Sequence, residues 1–168
     1  KYDELPNEYS HLYLSIDGQL AAVICISDPL KKDAREAINK LHECGFTNVV
    51  MMTGDNRRTA EAVAKEVGVD KVYAEVLPED KANFIRKEKE KGHTVIMVGD
   101  GVNDSPALSE ADTGIAISTG AAIAREIADI TIASEDLFEL VTLRKLSEAL
   151  MNRIYNSHRF IIGFNLSL

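Results

Sequence analysis

The sequence is poor in cysteine, which excludes two classes of small stabilised domain. Only 2 of its 168 residues are cysteines. Cys25 and Cys44 stand apart, without the spacing of a metal-binding motif. They predict neither a disulfide framework nor a zinc site, and a reducing cytosol is the simpler interpretation. Cys25 lies in an apolar run, so we predict that it is in the core.

Clustered basic residues are also missing. The net charge is -8, whereas a nucleic-acid backbone attracts dense Lys and Arg. The densest basic run, residues 86–91, alternates in sign and is typical of a solvated helix face. No Gly-x-x-x-x-Gly-Lys-Ser/Thr loop occurs, which excludes a Walker-type nucleotide site. The sequence opens without a signal peptide or an initiator Met, so we interpret it as a fragment of a longer polypeptide.

No apolar run is long enough to cross a membrane. The chain ends in an apolar stretch, residues 160–168, while about 20 apolar residues are needed to span roughly 30 Å of hydrocarbon. This tail fits either a buried terminal helix or the beginning of a membrane helix. Arg153, His158 and Arg159 precede it, as expected for a cytoplasmic flank. Its composition alone favours neither alternative.

Alternating strands and helices dominate the rest of the sequence. Residues 11–27 read as a β-hairpin turning at Asp17-Gly18. From Asp28 to Ile132, helical periodicity alternates with short apolar runs, which predicts a doubly wound α/β fold with a parallel sheet. A helix continues from Leu137. The predicted strands span 48–52, 72–74, 94–98, 114–117 and 129–132, and the predicted helices 33–44, 57–67, 78–91, a segment from 104 or 105, and 121–128.

One polar segment, residues 98–106, follows the apolar run 94–98, which we predict to be a fully buried strand. Asp104 or Ser105 is the expected N-cap of the next helix, with Pro106 in its first turn. Open α/β sheets bind ligands at the carboxyl ends of their strands. Asp100 and Asp104 offer the hard oxygen ligands that Mg²⁺ takes alongside phosphate oxygens. An acidic turn that merely caps a helix is the alternative.

Two further strand ends carry polar groups. Thr53, Gly54 and Asp55 follow the strand 48–52, and a hydroxyl beside a glycine N–H can bind phosphate, although a simple N-cap turn has the same residues. Lys81 lies one turn into a helix, where the helix dipole disfavours a cation. Pairing with phosphate or an aspartate would explain it; simple solvation is the alternative. Together with Asp100, these groups predict a phosphoryl site that works by positioning and charge neutralisation.

These motifs resemble the P-type cation-transporting ATPases of the haloacid dehalogenase-like superfamily, and most closely the heavy-metal branch. The resemblance covers residues 28–140 and rests on Met52-Thr-Gly-Asp-Asn56, Leu77-Pro-Glu-Asp-Lys81, Val98-Gly-Asp-Gly-Val-Asn-Asp-Ser-Pro-Ala-Leu108 and Ala111-Asp-Thr-Gly-Ile-Ala116.

The resemblance implies Mg²⁺ and ATP as cofactors and a role for each matching residue. Thr53 and Gly54 would hold the phosphoryl oxygens, and Lys81 would neutralise their charge. Asp100 would bind Mg²⁺. The remaining site positions are Asn103 and Asp104, which would complete the site with Asp104 as a second metal ligand, and Asp55, which would shape the loop towards the nucleotide domain, with Asp28 at the hinge.

The same resemblance implies a division of the chain. Residues 1–27 would end the nucleotide-binding domain or link back to it, residues 28–140 would form the C-terminal part of the phosphorylation domain, and residues 141–168 would lead into a membrane segment. The partners would be the rest of the polypeptide and the transported cation, and the location a cytoplasmic domain of a cell-membrane protein. No nucleic acid is expected.

Two departures from the family pattern qualify this expectation. No Asp-Lys-Thr-Gly-Thr motif occurs, and covalent phosphoryl transfer requires an acceptor carboxylate, so the isolated chain is expected to be inactive. Lys31 stands where an arginine is usual, which loses the bidentate fork. Two other functions stay open: a free-standing phosphatase with Asp28 as nucleophile, and a non-catalytic Mg²⁺- or nucleotide-binding module.

Overall fold

A computed structural model describes residues 10–26, 30, 33–100, 103–117, 126–133 and 136–166 of the chain. The predicted alternation of strands and helices is confirmed, with most boundaries moved by one or two residues. The elements are β1 Ser10–Ile16, β2 Gln19–Ile26, α1 Ala34–Glu43, β3 Val50–Met52, α2 Arg57–Val67, β4 Lys71–Tyr73, α3 Pro78–Glu90, β5 Ile96–Gly99, α4 Ser105–Glu110, β6 Thr113–Ile117, β7 Ile130–Ile132 and α5 Phe138–Leu166.

The N-terminal hairpin forms as predicted. Asp17 and Gly18 take positive φ angles of 49° and 77°, the backbone that a tight two-residue hairpin turn requires. β1 and β2 pair antiparallel, with His11 opposite Cys25. Cys25 is exposed, so the prediction that it lies in the core is wrong: a two-stranded ribbon buries its apolar residues only where another layer covers it.

The parallel strands form two separate sheets. β3 pairs with β4, and β5, β6 and β7 pair in that order. The predicted α/β architecture with parallel strands, an N-terminal hairpin and a C-terminal helix is thus confirmed. A strand does form in the region predicted at 94–98, but the prediction that it is fully buried is wrong. β5 begins at Ile96, which is 38% exposed. Among the described strands, β5 pairs only with β6.

Two hydrophobic clusters hold these elements together. In the first, Met52 of β3 packs against a buried set from α3, β5 and α4: Ile85, Met97, Ala107 and Leu108. The second joins α1 to the start of α5 through Ile38, Leu41 and Val141. The apolar face predicted for α1 is confirmed, since Ala34, Ala37, Ile38 and Leu41 are all buried.

The C-terminal helix is a single element of 29 residues. Its first turns pack on α1, whereas Phe160 is 75% and Leu166 is 83% exposed. No helix in the described part of the chain is both long and apolar enough to cross a membrane. The membrane continuation suggested by the sequence therefore stays a prediction.

Several sequence-based predictions concern residues outside the described ranges. They include the hinge residue or nucleophile Asp28, the departure at Lys31, and most of the helix predicted at 121–128. Gly101 and Val102 of the central polar segment also lie outside them.

Candidate functional site

The loop after β3 holds Thr53 in a tight turn with Asp55. The Thr53 hydroxyl donates to Asp55 Oδ2 at 2.6 Å and accepts the Asp55 N–H at 3.1 Å. Its single proton is therefore directed at the carboxylate, and a phosphoryl oxygen bound here would have to replace that acceptor. The Gly54 N–H donates to no backbone or side-chain acceptor in the described part of the chain. That amide is available to an anion without any rearrangement.

Backbone hydrogen bonds fix this loop against the segment that follows β4. The Thr53 N–H donates to Tyr73 O at 3.0 Å, and the Val76 N–H donates to Thr53 O at 3.0 Å. The Glu75 N–H donates to Asp55 O at 2.9 Å. Glu75 achieves this with a φ of 57°, in the left-handed region that non-glycine residues rarely adopt. The segment continues the β3–β4 pairing beyond the strands and holds the loop in shape.

Lys81 and Asp104 form an ion pair between α3 and α4. Lys81 Nζ lies 2.7 Å from Asp104 Oδ1, and the two side chains are only 14% and 13% exposed. A lysine in the first turns of a helix is unfavourable for the helix dipole unless it has a partner. In the structure that partner is the carboxylate of Asp104. Asp104 is the N-cap of α4, yet its side chain makes no capping bond. Its carboxylate instead provides the negative partner of Lys81.

Gly99, the last residue of β5, makes room for Asp104. A Cβ placed on Gly99 would lie 2.5 Å from Asp104 Oδ2 and 2.8 Å from Asp104 Cβ, closer than carbon and oxygen atoms approach in proteins. The aspartate therefore lies directly against the backbone of the strand end. Asp100 follows at once and is exposed, as is Asn103.

Four of the seven predicted site residues thus come together as two pairs, Thr53 with Asp55 and Lys81 with Asp104. The first hydrophobic cluster connects them, because Met52 precedes Thr53 and packs against residues of α3, β5 and α4. Both pairs and Asp100 follow or flank the carboxyl ends of parallel strands, the edge where such sheets bind ligands.

The site offers carboxylates of the kind that can hold Mg²⁺ together with phosphate oxygens. Within the described residues no group of three or more His, Cys, Asp or Glu side chains could hold an ion. Mg²⁺ commonly takes one or two carboxylates and completes its shell with waters and phosphate oxygens. Asp100 offers an exposed carboxylate for this purpose. Asp104 already pairs with a cation, and its role as a metal ligand stays a prediction.

Sequence reasoning missed the strap formed by Tyr73, Glu75 and Val76. These residues carry no motif, and they act mainly through backbone atoms. The positive φ of Glu75 has no sequence signal, because glycine or asparagine is the usual residue there.

Comparisons with known proteins show the family of the chain. A family model described as haloacid dehalogenase-like hydrolase matches residues 2–112. Copper-transporting ATPase 2 of Rhizobium meliloti is 48% identical over 159 residues, covering 95% of this chain and 19% of the relative. The copper-exporting P-type ATPase of Bacillus subtilis is 46% identical over 154 residues, covering 92% and 19% respectively. The chain therefore spans about a fifth of the length of these curated relatives.

Solved structures show a similar relationship to metal-transporting ATPases. A zinc-transporting PIB-type ATPase matches with a TM-score of 0.74 and 34% identity, over 88% of this chain and 24% of that one. The catalytic domain of the CPx-ATPase CopB-B matches with a TM-score of 0.64 and 29% identity, over 79% and 52%. The resemblance to heavy-metal P-type ATPases that the motifs indicated is confirmed.

Proposed function

Because the chain belongs to the haloacid dehalogenase-like hydrolases, we propose that it handles the phosphoryl group in an ATP-driven heavy-metal cation pump. The observation that carries this proposal is the Lys81–Asp104 pair at 2.7 Å, which lies against the strand end that leads into Asp100. A cation held against the strand end that precedes an exposed carboxylate suits phosphoryl transfer, where catalysis consists mainly of positioning and charge neutralisation.

Each side chain has a defined task in this proposal. Gly54 and Thr53 donate to phosphoryl oxygens, and the Thr53 hydroxyl exchanges Asp55 for the phosphoryl group as acceptor. Lys81 balances the negative charge, and Asp104 holds the lysine in place. Asp100 binds Mg²⁺, which would neutralise charge on the phosphoryl oxygens. Asn103 would complete the polar lining.

Further support comes from the edge strands of the two parallel sheets, as far as the described residues show them. Within the described residues, β3 pairs only with β4 and β5 pairs only with β6, although both strands lie over one hydrophobic cluster. A strand from elsewhere in the polypeptide could pair with these edges. Its carboxyl end would then arrive between Thr53 and Asp100, where the acceptor aspartate is needed.

We assign the ends of the chain to contacts with the same larger polypeptide. The hairpin exposes apolar residues on its strands, including Leu12 at 57% and Ile24 at 50%, and such a ribbon needs a covering layer. It would complete the nucleotide-binding domain, while residues 28–140 form part of the phosphorylation domain. The exposed apolar half of α5 would lead towards the membrane. In this proposal the domain faces the cytoplasm, and ATP is the phosphoryl donor.

The proposal predicts that the isolated chain does not become phosphorylated. Incubation with Mg²⁺ and γ-labelled ATP should give no acid-stable label, because the acceptor aspartate is supplied by another part of the polypeptide. Label on this chain that is lost in Asp28→Asn would contradict the proposal and support a free-standing phosphatase. Turnover of p-nitrophenyl phosphate with the same sensitivity would lead to the same conclusion.

A further inference from the structure

Every parallel strand pair in the described chain has an aspartate at the same position. In each case the aspartate directly precedes the later strand of the pair and lies opposite a residue within one position of the amino end of the earlier strand. The three aspartates with their opposite residues are Asp70 with Val49, Asp112 with Val95, and Asp129 with Gly114.

Each of these carboxylates accepts a backbone hydrogen bond from the opposite residue. The donor–acceptor distances are 2.6 Å from Val49 N to Asp70 Oδ2 and 2.8 Å for both Val95 N to Asp112 Oδ2 and Gly114 N to Asp129 Oδ2. The carboxylate therefore adds one rung to the amino end of the ladder. Hydrogen bonds to a charged acceptor are stronger than those between neutral backbone groups. Each of these bonds therefore favours the observed register of its two strands over a shifted one.

Asp112 also contacts a lysine of the neighbouring helix α3. Its Oδ1 lies 3.3 Å from the Nζ of Lys89 on α3, and Lys89 also donates to Glu110 O at 2.8 Å. The two oxygens of Asp112 thus bind the residue that precedes β5 and the last turn of α3. The Val95 N–H, with the Lys89 ammonium as a lesser cause, holds the pKa of Asp112 below its usual range.

The two elements joined by Asp112 are those that lead to the candidate site. Four residues of strand separate Val95 from Gly99, a rise of about 13 Å. Eight residues of helix separate Lys89 from Lys81, a rise of about 12 Å. The two rises are nearly equal. The contacts of Asp112 at the amino end of β5 therefore determine how Lys81 is positioned relative to Gly99 at the carboxyl end.

We propose that Asp112 is a positioning residue for the Lys81–Asp104 pair, acting from the opposite edge of the sheet by fixing α3 against β5. The proposal concerns geometry alone. It holds or fails independently of the proposed pump function.

NMR spectroscopy of the 168-residue chain tests the proposal with two local readouts. Hydrogen exchange at the Val95 amide reports the added rung, and the Lys81 ammonium and Asp104 carboxyl resonances report the pair. Asp112→Ala removes both contacts of the carboxylate. Asp112→Asn keeps an oxygen for Val95 but loses the charge that faces Lys89, and Lys89→Met removes the tie to α3 together with the Lys89 bond to Glu110 O. Asp129→Ala is the matched control, because it removes the same kind of rung from β6 and β7.

We expect Asp112→Ala to speed Val95 exchange about tenfold, the loss of one hydrogen bond to a charged group, and to shift the Lys81 and Asp104 resonances. Asp112→Asn should recover most of the Val95 protection. Lys89→Met should shift the pair without exposing Val95, and Asp112→Asn should shift it too although the Lys89 bond to Glu110 O stays in place. These two variants decide the matter if Asp112→Ala does not fold. Unchanged Lys81 and Asp104 resonances in the folded variants, or equal shifts in Asp129→Ala, would overturn the proposal.

Discussion

Replacing Gly99 with alanine should disrupt the candidate site while leaving the fold intact. The new methyl group would lie 2.5 Å from Asp104 Oδ2 and 2.9 Å from Asp104 Cγ. A side chain is more easily moved than backbone, so we expect Asp104 to rotate away. Lys81 then loses its carboxylate partner in a place where its side chain is 14% exposed.

The expected loss lies between two known limits. An exposed ion pair contributes about 0–1 kcal/mol, and removing one partner of a fully buried pair costs about 3–5 kcal/mol. The Lys81 and Asp104 side chains are mostly but not fully buried, so each can reach solvent once the pair is broken. We therefore expect a loss of stability of about 2 kcal/mol, below the limit for a fully buried pair. For a chain of this size, that corresponds to a fall in Tm of about 4–8 °C.

Two other glycines of the chain serve as matched controls. Gly54→Ala should leave stability nearly unchanged, because the nearest atom to its new methyl group is Val76 O at 3.9 Å. Gly114→Ala should destabilise the fold more than Gly99→Ala, because its methyl group would lie 2.6 Å from the backbone oxygen of Leu108.

Urea unfolding gives the free energies of all three variants, and the Asp104 carboxyl resonance gives the state of the pair. The reasoning is refuted if Gly99→Ala retains the parental Asp104 resonance and stability. It is also refuted if Gly54→Ala is as damaging as Gly99→Ala.

Three further results are expected. Glu75→Gly should raise stability by about 1 kcal/mol, because it relieves the left-handed φ of 57°; thermal unfolding with Glu75→Ala as control measures this, and an equal gain in both would contradict it. Lys81→Met should cost about 2 kcal/mol by leaving a nearly buried carboxylate unpaired, and Lys81→Met with Asp104→Asn should recover part of that loss. The hydrogen bond from Arg86 lowers the pKa of Glu110, so this contribution is present above the ordinary Glu pKa and is lost as pH falls through the lower folded value; acid unfolding of Arg86→Met should show a shallower decline, and identical profiles would exclude the linkage.

The sequence was a good guide to local structure because short-range rules determine it. The hairpin turn at Asp17-Gly18 follows from backbone sterics, and the end of α2 follows from Gly68, which takes a φ of 83°. The apolar spacing of α1 fixed its buried face. These features depend on neighbours within a few residues.

Burial was harder to predict because it depends on which layers cover an element. An apolar run such as residues 94–98 is typical of a strand covered on both sides, yet Ile96 remains 38% exposed. The prediction that Cys25 is in the core failed for the same reason, because no described layer covers the hairpin there. An apolar residue shows a tendency to be buried, but composition does not show what lies above it.

The candidate site was partly predictable. The motifs located its loops, and the unfavourable position of Lys81 indicated a charged partner. Neither could identify Asp104 as that partner, because 23 residues separate the two positions. The rung from Asp112 to Val95 was also hidden, since an aspartate before a strand has many ordinary explanations.

Binding of Mg²⁺ with inorganic phosphate tests the central claim most directly. In a titration followed by NMR, the account predicts that phosphate shifts the Gly54 amide and the Lys81 ammonium only when Mg²⁺ is present, and that Asp100→Asn abolishes this dependence. Phosphate-induced shifts that are confined to other parts of the chain, or that are unaffected by Asp100→Asn, would contradict it.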